Sequence, residues 1–345
     1  MIYSKLIIIV ILIILFIIIN NYFLNSQENY TGFKTPYFFD ALKKNDILSK
    51  NNKDIVYCKT PNNCIKENYS YHFNSPEAVR FVKDKIKTSS LLNKNKISVP
   101  KYKLINIHEP IYSIMKNEPQ IEYPVIVKPT NGTFGLDVHI NIENDQELQN
   151  VLNELKNSRF NRFMMEEYIE GDVYRIFVFK NKIIDIVKRE KPYVTGNDNC
   201  NLKTLIEKRN EKLIQKGLFP TKNLSSKYLS IQGVNMNSII PTNKKIYISQ
   251  VINMHNGAPI QRIDISKVPQ INQKLFIEVG KALKINCYGL DYISKNISQP
   301  FNEDRNVILE VNGTPDTEIH SKLDNYGSTF FESIVNEIFL NKEKK

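Results

Sequence analysis

Segments with strand periodicity occur in pairs after Ser75, and segments with helical periodicity separate the pairs. The alternation of apolar and polar residues predicts strands at 123–128, 138–142, 163–169, 174–179, 183–188, 245–252, 289–294 and 306–312. Apolar residues three and four apart predict helices at 76–92, 146–157, 205–216, 270–284 and 328–340. Paired strands with helices between them indicate a mixed α+β fold rather than a doubly wound parallel sheet.

The amino terminus carries an unbroken apolar run, LIIIVILIILFIII, at 6–19. Counted through Leu24 it approaches the roughly 20 residues that cross a bilayer core. A buried core helix and a cleaved signal peptide are the alternatives. The position at the extreme terminus argues against the first, and the lack of a small-residue cleavage site argues against the second. We therefore expect a transmembrane signal anchor at 1–24, followed by a stalk and a small N-terminal unit at 25–75. The flanking lysines leave the topology open.

Composition excludes several other classes of protein. The 345 residues carry 47 basic and 36 acidic side chains, a net charge of +11, but only eight of the basic residues are arginines. A nucleic-acid surface requires basic residues clustered with arginine and aromatics, so we expect no nucleic-acid partner. Four scattered cysteines without a CxxC pair indicate neither a disulfide scaffold nor a zinc site.

Glycine is scarce, with twelve in the chain, and two of them fall in one turn. Gly132 and Gly135 lie in PTNGTFG, directly after the predicted strand that ends at Lys128. Such a turn lets backbone N–H groups approach phosphate oxygens, while the lysine supplies a positive charge. The sequence is neither a Walker loop nor a dinucleotide fingerprint. A simple β-hairpin with a glycine turn is the alternative.

A second segment, FMMEEYIEG at 163–171, runs from a hydrophobic strand into carboxylates. The end of such a strand can present backbone groups to an adenine edge and a carboxylate to sugar hydroxyls. An acidic strand end at the surface is the simpler alternative.

The third segment is the most informative. Asp291 lies in GLDYI, and Glu310 and Asn312 lie two apart in VILEVN, so their side chains leave one face of a strand. With Asp291 on a hairpin partner, the three would form an oxygen-only cluster suited to Mg²⁺ shared with phosphates, and not to zinc. A solvated carboxylate face is the alternative.

These segments, taken in order, resemble the ATP-grasp superfamily. The matching stretches are DKIKTSSLLNKNKISVP (84–100), VIVKPTNGTFG (125–135), MEEYIEGDVYRIFV (165–178), KPYVTGNDN (191–199), GLDYI, and SQPFNEDRNVILEVNGTPDTEIH (298–320). Together they cover roughly residues 75 to 320. Within the superfamily they are most similar to the ATP-grasp module of cyanophycin synthetase, and more distantly to glutathione synthetases and D-alanine–D-alanine ligases.

The resemblance implies a role for each matching residue. Lys85 and Lys128 match the two lysines that contact ATP phosphates. The residues that match the loop closing over the phosphates are Thr130, Asn131, Gly132, Thr133 and Gly135. The residues implied at the adenine and ribose are Glu166, Glu167, Ile169 and Asp172. The implied Mg²⁺ ligands are Asp291, Glu310 and Asn312. Arg175, and less directly Arg262, match positions that stabilise charge at an acyl phosphate.

The resemblance also implies an architecture and an activity. An ATP-grasp fold would place a subdomain with the phosphate loop at 76–165 and a C-terminal subdomain with the metal site at 166–340. The family reaction converts a carboxylate to an acyl phosphate with ATP, and an amine then gives an amide and ADP. The cofactors would be ATP and one or two Mg²⁺ ions, which Mn²⁺ can replace. The substrates would be small amino acids or peptides, and the catalytic part would lie on the cytosolic side of the membrane, where ATP is found.

Two departures keep alternatives open. Relatives usually carry an acidic residue at the position of Val173 and glycine at the position of Asp316. A degenerate ATP-grasp protein that binds nucleotide as a regulator or scaffold is therefore an alternative to a ligase. A membrane-tethered structural protein with accidental motif matches is a third reading. Whether the chain forms a homo-oligomer is left open by the sequence.

Overall fold

The computed structural model describes residues 73–132, 135–302, 306–321, 323 and 327–337, with residues 41, 44, 48–49, 56–60 and 63–66 before them. The predicted anchor at 1–24 and most of the predicted stalk lie outside these residues. In the part of the chain described, no helix combines the length and the apolar character that a bilayer crossing requires.

Groups of strands and groups of helices follow one another along the chain. The strands are β1 Leu48–Ser49, β2 Val56–Thr60, β3 Asn63–Lys66, β4 Tyr102–Ile105, β5 Val125–Pro129, β6 His139–Ile142, β7 Phe163–Glu167, β8 Asp172–Phe179, β9 Lys182–Arg189, β10 Tyr193–Thr195, β11 Lys245–Tyr247, β12 Ile260–Arg262, β13 Cys287–Ser294 and β14 Val307–Asn312. The helices are α1 Pro76–Lys83, α2 Lys85–Lys94, α3 Ile111–Lys116, α4 Asp145–Leu155, α5 Leu202–Gln215, α6 Ser226–Ile231, α7 Gln270–Leu283, α8 Glu318–Ser321 and α9 Gly327–Val335.

The strands form four sheets, with the orders β1-β2-β3, β4-β7-β5-β6, β12-β9-β8-β13-β14 and β10-β11. The strand pairs in all four are antiparallel. Consecutive strands β8 and β9 join through Lys180 and Asn181, both with positive φ, as the two-residue hairpin turn requires. The mixed α+β prediction is confirmed.

The predicted helix at 76–92 is two helices, because Asp84 interrupts it. Ser75 caps α1 by accepting a hydrogen bond from Ala78 N–H, with Pro76 in the first turn, as the sequence predicts. Asp84 has extended backbone angles and caps α2 by accepting from Lys87 N–H. The break places Lys85 at the first residue of a new helix.

The five-stranded sheet has one apolar face, which packs against α1, α2 and α7. Side chains of this face include Tyr174, Ile176, Val178, Leu290 and Tyr292. Val82, Leu92 and Ile97 belong to the same core. The expectation that residues 76–97 belong to the subdomain with the phosphate loop is therefore corrected, because their apolar side chains pack on the larger sheet.

The four-stranded sheet has a separate core with α3 and α4. Its buried residues include Val125, Val127, Phe163, Met165 and Leu152. The residues that β5 and β7 contribute to this core are all odd-numbered, so the even-numbered side chains of these two strands point to the opposite face.

The segment after β9 forms a third unit with its own core. Strands β10 and β11 and helices α5 and α6 bury Val194, Leu202, Ile206, Leu229 and Ile246. The predicted helix at 205–216 is confirmed as α5, which begins three residues earlier, at Leu202.

Candidate functional site

A row of charged side chains crosses the five-stranded sheet on the face opposite its apolar core. Glu310 of β14 lies directly opposite Asp291 of β13, and Asp291 lies directly opposite Arg175 of β8. Directly opposed residues of antiparallel strands share a face. Asn312 lies opposite Gly289 on the same face. This is the hairpin arrangement that the spacing of the carboxylates predicts.

Two arginines bind Asp291. Arg175 Nε lies 2.7 Å from Asp291 Oδ1, and Arg175 Nη2 donates to Oδ2 at 3.3 Å. Arg189 Nη2 donates to Oδ1 as well. Gly289 makes room for this arrangement, because a Cβ there would lie 2.5 Å from Arg175 Nη1 and 2.9 Å from Pro315 Cβ.

Lys85 links the two subdomains. Its backbone N–H donates to Thr130 O at 2.9 Å, and its Nζ donates to Gly132 O at 2.8 Å. The same Nζ lies 3.3 Å from Glu310 Oε1. Because the Asp84 cap starts α2 at this residue, the lysine reaches both the phosphate turn and the carboxylate row.

Lys128 lies on β5, on the face of the small sheet that points away from its core. Its Nζ is 2.5 Å from Glu166 Oε1 on β7, and both side chains are more than nine-tenths buried.

Burial alone would raise the pKa of Glu310, but the charges of Lys85, Lys128 and Arg175 lower it from its usual value. The polar faces of the two sheets therefore meet around Glu310.

The phosphate turn follows β5 and closes a hairpin, since β5 pairs with β6. Thr130 is buried, and its N–H donates to Arg162 O at 3.0 Å, whereas Asn131 is exposed. Gly135 has a φ of +70°, which favours glycine at this position. Thr133 lies outside the described residues.

The predicted adenine strand is shorter than expected, and part of its backbone is occupied. Strand β7 ends at Glu167, so Ile169 lies beyond it. The Glu167 N–H donates to Lys101 O at 3.0 Å, and its carboxylate accepts from Lys101 N–H at 2.7 Å. That N–H is thus not open to a nucleotide base in this arrangement.

The structure does not bring Asp172 to the other predicted ligands. Strand alternation places it on the face of β8 opposite Arg175, where its carboxylate binds Lys188 Nζ at 2.6 Å. The expectation that Asp172 reaches the ribose is corrected for this reason. Val173, which has no polar side chain, is the residue on the Arg175 face.

Arg262 lies on the same face as Arg175, but apolar residues separate the two. It is opposite Val187, and Val187 is opposite Arg175. Val187 is fully buried in a cluster that we call the Val187 plug, formed by Val187, Met254, Ile319, Phe219, Ile260 and Leu323. The expectation that Arg262 acts beside Arg175 is therefore corrected.

Arg262 instead completes a buried polar network. Its Nε and Nη2 donate to the two carboxylate oxygens of Asp185 at 2.9 and 3.2 Å, and Nη2 also donates to His320 O at 3.2 Å. His320 Nδ1 lies 2.9 Å from Asp185 Oδ2, and its ring stacks on Phe330. This network fixes α8, and with it the turn that follows Asn312, onto the sheet.

The predicted metal ligands fit Mg²⁺ by their chemistry. Asp291 and Glu310 supply carboxylate oxygens from adjacent positions, and Asn312 supplies an amide oxygen on the same face. Within the described residues, no group of three or more His, Cys, Asp or Glu side chains could hold a metal ion. Two carboxylates and an amide leave several positions of an octahedral ion for water and phosphate oxygens, which is how Mg²⁺ usually binds beside nucleotides.

Arg189 is the main residue that the sequence did not indicate. Its side chain is only 9% exposed, and burial lowers its pKa while the charge of Asp291 opposes that effect. A signal was available, since the β8–β9 hairpin and strand alternation place it on the Arg175 face. Glu166 was expected near the adenine, and its pairing with Lys128 was likewise not foreseen.

The fold and the arrangement of charged residues are similar to those of ATP-grasp proteins. Residues 82–250 match the family model of the RimK-like ATP-grasp domain. The resemblance seen in the sequence is confirmed.

Three known proteins illustrate the similarity. The cyanophycin synthetase of Synechocystis sp. is 26% identical over 246 residues, covering 69% of this chain and 28% of that protein. The glutathione biosynthesis bifunctional protein GshAB of Clostridium perfringens is 23% identical over 329 residues, covering 87% of this chain and 40% of that protein. The crystal structure of a bifunctional glutathione synthetase from Pasteurella multocida has a TM-score of 0.57 at 18% identity, covering 89% of this chain and 44% of that one. This chain therefore spans less than half the length of each.

Proposed function

We propose that this chain is an ATP-dependent carboxylate–amine ligase that forms an amide or peptide bond through an acyl phosphate. The observation that carries the proposal is the convergence of cations and carboxylates from two sheets around Glu310. Lys85 contacts Glu310 and the phosphate turn, Lys128 lowers the pKa of Glu310, and Arg175 holds the neighbouring Asp291. Positive charge from both subdomains around an oxygen-donor set is what phosphoryl transfer from a nucleotide requires.

The chain's own residues supply positioning and charge. Lys85 at the start of α2 and Lys128 on β5 would hold the phosphate oxygens from the two subdomains, and the turn from Thr130 to Gly135 would cover them. Asp291, Glu310 and Asn312 would hold Mg²⁺, which shields the charge on the phosphates when bound. Arg175 would neutralise charge on the transferred phosphoryl group.

The proposed reaction has two steps. A substrate carboxylate oxygen attacks the terminal phosphorus of ATP, the bond from that phosphorus to the bridging oxygen breaks, and ADP leaves. An amine nitrogen then attacks the acyl carbon, inorganic phosphate leaves, and the nitrogen loses a proton to give the amide. No protein nucleophile takes part, so the chain contributes by orientation and by charge neutralisation.

The proposal extends to location and substrates. The apolar run at 6–19 supports a membrane anchor, and the need for ATP places the nucleotide site on the cytosolic side. The names of the relatives, cyanophycin synthetase and glutathione biosynthesis bifunctional protein, support amino acids or peptides as the substrate class.

A nucleotide-binding regulator is the second candidate. Val173 favours it, because it places an apolar side chain on the Arg175 face at the position where relatives usually carry an acidic residue. The two candidates differ in whether bound ATP is turned over.

The test is ADP release by the purified full chain with ATP, Mg²⁺ and mixtures of the twenty amino acids and their dipeptides. A ligase releases ADP only when a suitable mixture is present. The Lys85→Met variant should lower that rate by at least about a hundredfold, since it removes one pre-positioned charge. The matched control is Glu278→Gln, which removes a charge from an exposed pair with Lys281 on α7. If the chain binds nucleotide but releases ADP in none of the mixtures, the result favours the regulator.

A further inference from the structure

Each carboxylate proposed to bind Mg²⁺ is held by a cation proposed to bind phosphate. Both oxygens of Asp291 contact Arg175, and one of them also accepts from Arg189. Glu310 contacts Lys85 at 3.3 Å. In the nucleotide-free chain the carboxylates proposed to bind Mg²⁺ are therefore paired with the cations proposed to bind phosphate, and their charges balance.

The arginines are not fully satisfied by this arrangement. The Nε atoms of Arg175 and Arg189 are buried and complete no hydrogen bond with a described residue. Arg175 Nε is close to Asp291 Oδ1, but its N–H is not aligned with that oxygen. Two guanidinium groups share one carboxylate, whereas a phosphate group has more acceptor oxygens to offer. A buried donor without an acceptor costs free energy, so Arg175 and Arg189 favour a ligand with more acceptor oxygens than Asp291 has.

Both oxygens of Asp291 face arginine donors, so a metal ion would compete with the two guanidinium groups for them. We propose that Asp291 and Glu310 act as stand-ins for phosphate on Arg175, Arg189 and Lys85 in the nucleotide-free chain. Arrival of the phosphates displaces the carboxylates from these cations and turns them to Mg²⁺. The inference rests on the nucleotide site proposed above, and it adds an exchange of partners that makes metal and nucleotide binding depend on each other.

The exchange of partners affects the affinity for nucleotide in the absence of metal, which simple metal ligation by these carboxylates does not explain. A residue that only binds metal occupies none of the cations that hold the phosphates, so its replacement changes the metal-free affinity for nucleotide only through the loss of one repulsive charge. A stand-in competes with the phosphates, so removing its charge should strengthen nucleotide binding in the absence of metal. The same replacement should also remove the gain in affinity that Mg²⁺ brings.

The experiment is isothermal titration calorimetry of the full chain with AMPPNP, once in EDTA and once in excess MgCl₂. In the parent, Mg²⁺ should strengthen binding by at least about tenfold, within the usual range of coupling between sites. In Asp291→Asn, binding in EDTA should be about fivefold tighter than in the parent, with little further gain from Mg²⁺. Glu278→Gln makes the same change of net charge on an exposed helix and should match the parent in both conditions.

A second variant covers the case in which Asp291→Asn unfolds because Arg189 is left buried without its partner. Glu310→Gln frees Lys85 and should shift the metal-free affinity in the same direction. Metal-free binding that is equal or weaker than that of the parent, in whichever of the two variants folds, overturns the exchange while leaving the nucleotide site intact. A folded parent that binds no AMPPNP even with Mg²⁺ overturns the proposed function, and the exchange with it.

Discussion

Replacing Asp185 by asparagine is expected to lower the free energy of unfolding by about 3 kcal/mol. Asp185 is 2% exposed and accepts hydrogen bonds from Ile186 N–H, His320 Nδ1–H and both donors of the Arg262 fork. Burial would raise the pKa of Asp185, but His320 and Arg262 lower it from its usual value, so it is an anion at neutral pH.

The magnitude follows from what the amide can still do. One oxygen remains to accept from Ile186 N–H and Arg262 Nε–H, while the new NH₂ group faces Arg262 Nη2–H and His320. His320 can shift its proton to Nε2 and accept from the amide, so one contact is recovered. The loss is then one charged hydrogen bond and the pairing of the Arg262 charge. Breaking a buried pair costs about 3–5 kcal/mol, and the 25% exposure of Arg262 places the estimate at the lower end.

Urea denaturation followed by circular dichroism measures this difference, with parent and variant fitted to the same dependence of unfolding free energy on urea concentration. The Glu278→Gln control lies on the surface of α7 and should change the free energy of unfolding by less than about 0.5 kcal/mol. A loss of under about 1 kcal/mol in Asp185→Asn would refute the reasoning, because it would mean that the network contributes no more than an exposed pair.

Two further outcomes follow from the same face of the sheet. Burial lowers the pKa of His320 from its usual 6.5, so the unfolded chain takes up that proton first and stability falls as pH drops below about 6.5. His320→Asn should therefore flatten the loss of unfolding free energy between about pH 7 and about pH 5, and parallel curves for parent and variant would contradict this. Gly289→Ala places a Cβ against Arg175 and the rigid ring of Pro315, and urea denaturation should show a loss of about 1–3 kcal/mol. A variant as stable as the parent would contradict this, because it would mean that the turn after β14 moves to accommodate the added Cβ without loss of stability.

The sequence predicted the larger sheet well because one face of its central strands is regular. The core residues of β8 and β13 occupy every second position, so the positions of Arg175 and Asp291 on the other face followed from counting. The facing pair of Asp291 and Glu310 was predictable for the same reason. Arg189 was missed because it stands at the last residue of β9, one place past the predicted end of that strand.

Other features depend on tertiary contacts that no local pattern records. The break at Asp84 was hidden inside a continuous helical pattern, since both halves bury residues against the same sheet. Arg262 was expected to act beside Arg175, but the Val187 plug separates the two, and its residues come from segments far apart in sequence. Asp172 was assigned from the resemblance, one place away from the position that relatives use, and one place reverses the face of a strand.

The three separate hydrophobic cores have a consequence for motion. Each core is closed around its own sheet, and the segment with β10, β11, α5 and α6 shares no buried residue with the other two. Contiguous units of this kind open with free energies of their own. Its α6 touches the phosphate-turn subdomain through Lys227, which binds Glu147 of α4 at 2.6 Å. Because a partly exposed ion pair contributes little free energy, this contact adds little to the stability of either core.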